Sequence, residues 1–365
     1  MSTARISTEG FGPVMVIGAG LIGGSIGLAL RRQGIEVFLE DVDSQSLTTA
    51  VSMGGGIDAE TLAQSGALPI LVVVAVPPSS AGAVLAEAAR RFPEATITDV
   101  SSVKAPVLDQ ARLAGADMER IVGGHPMAGR ETAGAASSRA DLFDDRMWII
   151  TAPDGAQSDR VDKVRELAKL CGAIPIEMAA EDHDAAVALI SHVPQILSSA
   201  LAGQLASAPE AHVVIAGQGL RDMTRIAGSD SELWADILSA NSANVQAVLR
   251  GLIGSLESLQ DDLARAASIE SVREFLNRGG EGKLRIPGKH GIGNLDFAEV
   301  MVMIADEPGE LARLFGAVGE VDVNLEDVRI EHVLGKPSGL VGLFVNPASE
   351  PALVEGLLAR GFDVR

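Results

Sequence analysis

Apolar residues in the first half of the chain fall in short unbroken runs, separated by stretches where they recur every three or four positions. The runs are residues 13–18 (PVMVIG), 36–39, 70–76 (ILVVVAV), 96–100, 147–151 (MWIIT) and 174–177. Each is too short for a helix and lacks the alternation of a half-exposed strand, so each reads as a buried strand. The intervening 3.6-period segments, such as 23–32 and 159–170, read as helices. Strand and helix in alternation predict βαβ units around a parallel sheet. From about residue 181 the strand pattern stops, and long helical stretches follow at 181–206, 211–227, 231–251 and 252–277. A glycine-rich basic segment (279–294) reads as a linker. Beyond it, apolar runs and helical patterns resume with βαββαβ spacing, a small α+β module of ferredoxin-like order.

The predicted fold class is therefore α/β with three domains. These are a parallel-sheet domain over 1–180, an all-helical domain over 181–280, and an α+β domain over 296–365 behind a linker at 281–295.

Gly18-Ala19-Gly20-Leu21-Ile22-Gly23 follows the first strand and opens the first helix, the context that makes a G-x-G-x-x-G pattern specific for a Rossmann-type dinucleotide site. Gly18 allows the tight turn, Gly20 lets the backbone approach a pyrophosphate, and Gly23 lets helix and sheet pack closely. The N–H groups at the helix start, at Leu21 and Ile22, then face the diphosphate. Asp41, 18 residues beyond Gly23, ends the second strand, where a carboxylate accepts from a ribose 2′-OH and repels a 2′-phosphate. NAD is the expected cofactor, with Glu40 as the competing carboxylate and Asp43 as a turn residue. Val76, Ser101 and Ser102 follow later strand ends on the same rim, as does Lys104, whose ammonium is expected to face the cofactor.

The net charge of −20 argues against nucleic acid and anionic membranes as partners. The single cysteine, Cys171, cannot form an internal disulfide, and the six histidines show no zinc spacing, so no metal is expected. No apolar run is judged long enough to span a bilayer, and no signal core precedes the first strand; the expectation is a cytoplasmic protein. With no tyrosine in the chain, a phenol cannot serve as catalytic acid or base. The stretch 122–134 (VGGHPMAGRETAG) is too glycine-rich for a helix and too broken for a good strand, yet a strand-like Ile121-Val122 followed by two glycines puts His125 at the same rim of the sheet, with Pro126 holding it out of helical geometry.

Taken together, GAGLIGG, DVSSVK, GGHPMAGRE, HDAAVALISHVPQ and RDMTRIAGSDSELW resemble the prephenate dehydrogenases and their arogenate-specific relatives over about residues 13–278. The DEPGEL turn (306–311) and VDVNLEDVRIEH separately resemble an ACT domain, a regulatory amino-acid-binding module. The resemblance implies NAD-dependent oxidative decarboxylation of prephenate to 4-hydroxyphenylpyruvate in tyrosine biosynthesis. It makes His125 the acceptor for the substrate 4-hydroxyl, supported by Ser102. Arg225 would grip a carboxylate, as guanidinium does better than ammonium. Asp222 and Trp234 would lie behind it, Glu131 near the entrance, and His192 beside the substrate. Gln195 departs from the family, which often has histidine there; this leaves arogenate open as the substrate. The resemblance also implies a homodimer and an aromatic amino acid, such as tyrosine, bound at the ACT-like module.

Two other readings share parts of this pattern. β-Hydroxyacid and 6-phosphogluconate dehydrogenases share the architecture but need a lysine on the first long interdomain helix, and residues 181–206 contain none. A non-catalytic regulator sensing NAD and an amino acid would be expected to carry a basic DNA-binding element, which is absent from the sequence.

Overall fold

The computed structural model describes residues 10–62, 66–129, 134–264, 269–286, 297–332 and 338–365, with the side chains of 331 and 332 left aside. It forms two compact units, Met1–Ile253 and Gly254–Arg365.

The first unit is built on an eight-stranded sheet: β1 (Val14–Ile17), β2 (Val37–Glu40), β3 (Ile57–Asp58), β4 (Leu71–Val74), β5 (Thr96–Asp99), β6 (Ile121–Pro126), β7 (Met147–Thr151) and β8 (Ile174–Glu177). The spatial order is β3-β2-β1-β4-β5-β6-β7-β8. All pairs are parallel except β6 with β7. The apolar runs are buried on both faces because each face carries its own helical layer. Val14, Val16, Leu71 and Val73 enter one core cluster, and Met15, Val72 and Val74 enter the other. This is the period-2 alternation of a strand, with each fully buried valine or leucine worth about 1.5–3 kcal/mol.

The strand-like start at Ile121–Val122 is observed, but the strand does not end at the glycines: it continues through His125 to Pro126. Ile121 and Val122 pair in parallel with β5, and Gly123–Pro126 continue as an antiparallel partner of β7. The glycines here serve packing. A Cβ on Gly124 would stand 2.7 Å from the Asp99 carbonyl oxygen and 3.0 Å from Trp148 Nε1.

The helical part also differs from expectation. The first long helix runs Ala180–Leu205 and contains one wider π turn at Ala188–His192. At 26 residues and mean hydropathy 1.5 it is long and apolar enough, by length and composition, to cross a membrane, contrary to the sequence-based expectation. Its apolar character has a local cause: Ala188 and Val193 pack with Val245 in a small core, while His183, Asp184, His192 and Gln195 on the same helix are buried among polar partners. The expected helix at 211–227 is instead three short pieces, Glu210–Val213, Gln218–Thr224 and a 3-10 turn at Arg225–Gly228, interrupted where Gly217 is extended. The later break falls at Asn241, between Ser231–Ala240 and Ser242–Ala264, rather than at 251. At this break the Asn241 side-chain amide donates to the Asp184 carbonyl at 2.7 Å. The helix Ile269–Leu284 extends through Gly279 and Gly280, so the expected linker starts too early; 287–296 lie outside the described residues.

In the second unit, β9 (Ala298–Ala305), β10 (Asp327–His332), β11 (Ser338–Val345) and β12 (Asp363–Val364) form a small antiparallel sheet ordered β10-β11-β9-β12. The helices Glu310–Glu320 and Glu350–Ala359 supply Leu314, Leu353 and Leu357 to its core.

Candidate active site

The glycine turn after β1 and the carboxyl ends of β4 and β5 open onto one cleft of about 570 Å³. On one side it is lined by Gly20, Leu21, Ile22, Val76 and Ser101, and on the other by Ser102, Gln195, Arg225 and Trp234. Gly18 has φ +102°, and a Cβ there would lie 2.2 Å from the Ala75 carbonyl oxygen. A Cβ on Gly23 would lie 1.8 Å from the Gly18 carbonyl oxygen, whereas the space over Gly20 is open. The turn is thus closed on its protein side and clear on its cleft side, where the helix Leu21–Arg32 begins without a side-chain cap.

Asp41, just beyond β2, accepts from the N–H of Ala19 at 2.6 Å and of Asp43 at 2.8 Å. It therefore braces the glycine turn while keeping acceptor capacity on its partly exposed oxygens. Glu40, the competitor, is engaged by Arg91 at 2.5 Å. Asp43 caps the helix Ser44–Ser52, as a turn residue would. The buried Ser101 hydroxyl, at the cleft wall, has no hydrogen-bond partner among the described residues. An uncapped helix start, open space over Gly20 and an orphaned hydroxyl together fit a dinucleotide.

Beneath this wall lies a buried polar layer. Lys104 is fully buried and donates to Asp99 and, at 2.5 Å, to the Gly124 carbonyl. This corrects the expectation that its ammonium faces the cofactor: it ties β5 to β6 from below. Burial pulls the Lys104 ammonium below the usual lysine range, and the Asp99 carboxylate opposes that.

His125 sits at the penultimate position of β6, partly buried, on the strand next to the one that leads into Ser101 and Ser102. It is not one of the cleft-lining residues; its Nδ1 lies 2.8 Å from His183 Nε2, with the rings edge-on at 78°. His183 Nδ1 in turn lies 2.8 Å from Asp184 Oδ1. Asp184 also accepts from the backbone N–H of Lys104 at 2.8 Å and of Ala105 at 2.9 Å. Burial, with His183, Lys104 and His192 nearby, holds the His125 imidazole well below its ordinary pKa, hence neutral at neutral pH. The sequence places His183 and Asp184 on one predicted helix with His192, at a spacing that permits a rough shared face at best, and assigns them no role. The signal for one was the adjacent His-Asp pair in HDAAVALISHVPQ.

His192 is buried behind the cleft wall, not on it. Asn241 Nδ2 lies 3.1 Å from its Nδ1, and the Trp234 ring stands edge-on at 6.1 Å. Burial lowers its pKa to about 4. Gln195 donates from Nε2 to the Ile226 carbonyl at 3.0 Å, with Ser199 Oγ at 3.4 Å, and its buried Oε1 has no partner among the described residues. Asp222 is exposed, accepts from Gln218, and does not line the cleft. Glu131 lies outside the described residues.

A mostly parallel sheet with this glycine turn, joined to a helical segment that supplies a buried histidine pair and a cleft arginine, defines a nicotinamide-dependent dehydrogenase. The family is explicit in the sequence comparisons. Residues 26–177 match the prephenate dehydrogenase nucleotide-binding domain, and residues 179–278 the prephenate dehydrogenase dimerization domain. The chain belongs to the prephenate dehydrogenase family and is an NAD-dependent oxidoreductase. It is 34% identical over 356 residues to a probable prephenate dehydrogenase, NovF, of Streptomyces niveus, covering 95% of this chain and 97% of that one. It is 26% identical over 325 residues to the prephenate dehydrogenase of Bacillus subtilis, covering 87% of each. Among solved structures it is similar to an A. aeolicus prephenate dehydrogenase in complex with hydroxyphenyl propionate and NAD+. That likeness has 28% identity and a TM-score of 0.65, covering 74% of this chain and 96% of the other. This membership sets aside the β-hydroxyacid dehydrogenase and regulator readings.

Proposed function

We propose that the chain carries out the NAD-dependent oxidative decarboxylation of prephenate to 4-hydroxyphenylpyruvate, with Ser102, His125 and Arg225 as the principal working side chains. The observation that carries this is a neutral histidine backed by a second histidine and a carboxylate, one strand from the serine pair of a dinucleotide cleft that also holds an arginine. NAD supplies the hydride acceptor. The glycine turn and the start of helix Leu21–Arg32 hold its diphosphate, Asp41 its ribose, and Val76 and Ser101 its nicotinamide end. His125 accepts the hydrogen of the substrate 4-hydroxyl, Ser102 aligns that hydroxyl, and Arg225 pairs with a substrate carboxylate. The chemistry calls for no metal and no protein nucleophile. His125→Asn tests the assignment: turnover should fall by orders of magnitude while NAD binding stays near wild type, and near-normal turnover would refute it.

Gln195 favours a second reading. Its amide N–H group is committed to Ile226, which leaves an acceptor oxygen buried at the cleft, better suited to the ammonium of arogenate than to the keto oxygen of prephenate. Steady-state rates with both substrates, each with NAD and NADP, separate these readings; a strong prephenate preference removes the arogenate one.

The domain roles complete the proposal: a dinucleotide domain over 1–180, a helical substrate and dimerisation domain over 181–280, and an ACT-like regulatory module over 296–365. Exposed Leu189, Ile215 and Ile253 support a homodimer through the helical part. Tyrosine or another aromatic amino acid is the proposed ligand of the C-terminal module. Removing 296–365 should abolish its inhibition and spare catalysis; inhibition that survives the truncation counts against this role.

A further inference from the structure

The buried layer under the cleft contains more than the known chemistry has used. The Asp184 carboxylate takes part in three hydrogen bonds, with two backbone N–H groups and the His183 ring. An ionised carboxylate can only accept, so the His183 proton must sit on Nδ1. A neutral His183 then has a bare lone pair on Nε2, and that lone pair faces His125 Nδ1 at 2.8 Å. Two lone pairs cannot make this contact, so the proton between the rings belongs to His125 Nδ1. His125 Nε2 is left bare.

We propose that His183 and Asp184 are positioning residues for the reaction: they lock His125 in the tautomer whose Nε2 accepts the substrate hydroxyl proton, and they hold the resulting charge. This rests on the assignment of His125 as acceptor made above. Proton accounting gives the pair a further task. The C4–H bond breaks with its electron pair leaving as hydride to the cofactor. The ring-carboxylate bond breaks with its pair entering the ring, and CO₂ departs. The product keeps its hydroxyl hydrogen, so the overall reaction releases no proton. A proton that shifts from the hydroxyl to His125 Nε2 during hydride loss must come back to the phenolic oxygen. While it is away, His125 is an imidazolium whose Nδ1–H points at His183. Moving that hydrogen across to His183 Nε2 leaves His125 neutral and sets His183⁺ directly against Asp184⁻. The site needs a reversible store for one proton, and a histidine pair ending in a carboxylate buried at 2% exposure is such a store. A path to solvent is not required.

Asp184 also holds the Lys104 and Ala105 backbone, so His183 is the informative position. His183→Gln keeps an acceptor for His125 Nδ1–H and a donor for Asp184 but cannot take up a proton; His183→Leu removes both. The readouts are kcat, KM for NAD, and the ¹⁵N signals of the His125 ring in the NAD-loaded enzyme, assigned by their loss in His125→Asn. In the wild type, Nδ1 should be protonated and Nε2 bare. His183→Leu should lose the tautomer and about 10²–10³ in kcat, below the roughly 10⁴ that a wrong tautomer costs a serine-protease triad. His183→Gln should keep the tautomer and lose about tenfold, and KM for NAD should not move in either. A protonated Nε2 in the wild type overturns the proposal, as does a His183→Leu enzyme with wild-type kcat. If His183→Leu fails to fold, the wild-type tautomer and His183→Gln still decide. The base assignment fails separately, through an active His125→Asn enzyme.

Discussion

Lowering the pH should destabilise this protein through one buried ring, His192. It is 1% exposed, Asn241 Nδ2 approaches its Nδ1, and burial lowers its pKa from 6.5 to about 4. In the unfolded chain the same imidazole takes up a proton near 6.5. Between these values the unfolded state binds more protons, so stability falls as pH falls. The contribution is fully present above 6.5 and is lost on the way down to about 4. At 1.36 kcal/mol per pKa unit the whole shift corresponds to about 3 kcal/mol, of which about 2 kcal/mol is gone by about pH 5. Other groups titrate in the same range, so the comparison protein is His192→Asn, whose Oδ1 can take the place of Nδ1 beside Asn241 without titrating. Urea unfolding of both proteins between pH 7.5 and 4.5 should show the wild type losing about 2 kcal/mol more than the variant by about pH 5. Equal pH dependence in the two proteins, or a His192 ring that titrates above pH 6 by NMR, would refute the reasoning.

Catalysis should resist acid further than an ordinary histidine base allows. His125 faces His183, Lys104 and His192, with Asp184 behind His183, and burial holds its pKa well below 6.5. Because the neutral ring is the acceptor, kcat/KM should stay level as pH falls through 6.5 and drop only below it; an acid limb at or above 6.5 contradicts this. Gly124→Ala should yield little folded protein, since its methyl would press on the Asp99 carbonyl at 2.7 Å, and wild-type melting would refute the fit. Cys171 is buried and its thiol is pushed well above the usual range, so a thiol reagent should label it only on unfolding. Arg225→Lys should raise KM for the anionic substrate about tenfold with KM for NAD unchanged, about 1.4 kcal/mol for a lost bidentate contact; an unchanged substrate KM would remove Arg225 from that role.

The strands of the sheet were legible because apolar runs such as 70–76 need nothing but burial on both faces to become strands. The glycine turn was legible because its spacing, position after β1 and helix start agree. What escaped depended on tertiary neighbours. Gly123 and Gly124 read as a break because their role is to admit Thr151, Asp99 and Trp148, which lie far off in sequence. At the helix break, the Asn241 side chain is tied to the Asp184 carbonyl, 57 residues away. Lys104 read as a cofactor-facing ammonium because its partner Asp99 could not be told from any other strand-end carboxylate. The role of His183 was hidden because it arises only where β6 and helix Ala180–Leu205 meet.

The π turn in that helix has an angular consequence. In an uninterrupted α-helix, His183 and Gln195, twelve residues apart, would point roughly 120° away from each other at 100° per residue. The wide turn at Ala188–His192 absorbs one residue, so the effective separation is eleven steps and the divergence shrinks to roughly 20°. One backbone irregularity thus keeps the proton-handling end and the Gln195 end of the site in phase. Tightening the turn into regular helix would rotate Gln195 off the cleft, whereas deleting a single exposed residue such as Leu189 would straighten the rod and leave both ends aligned.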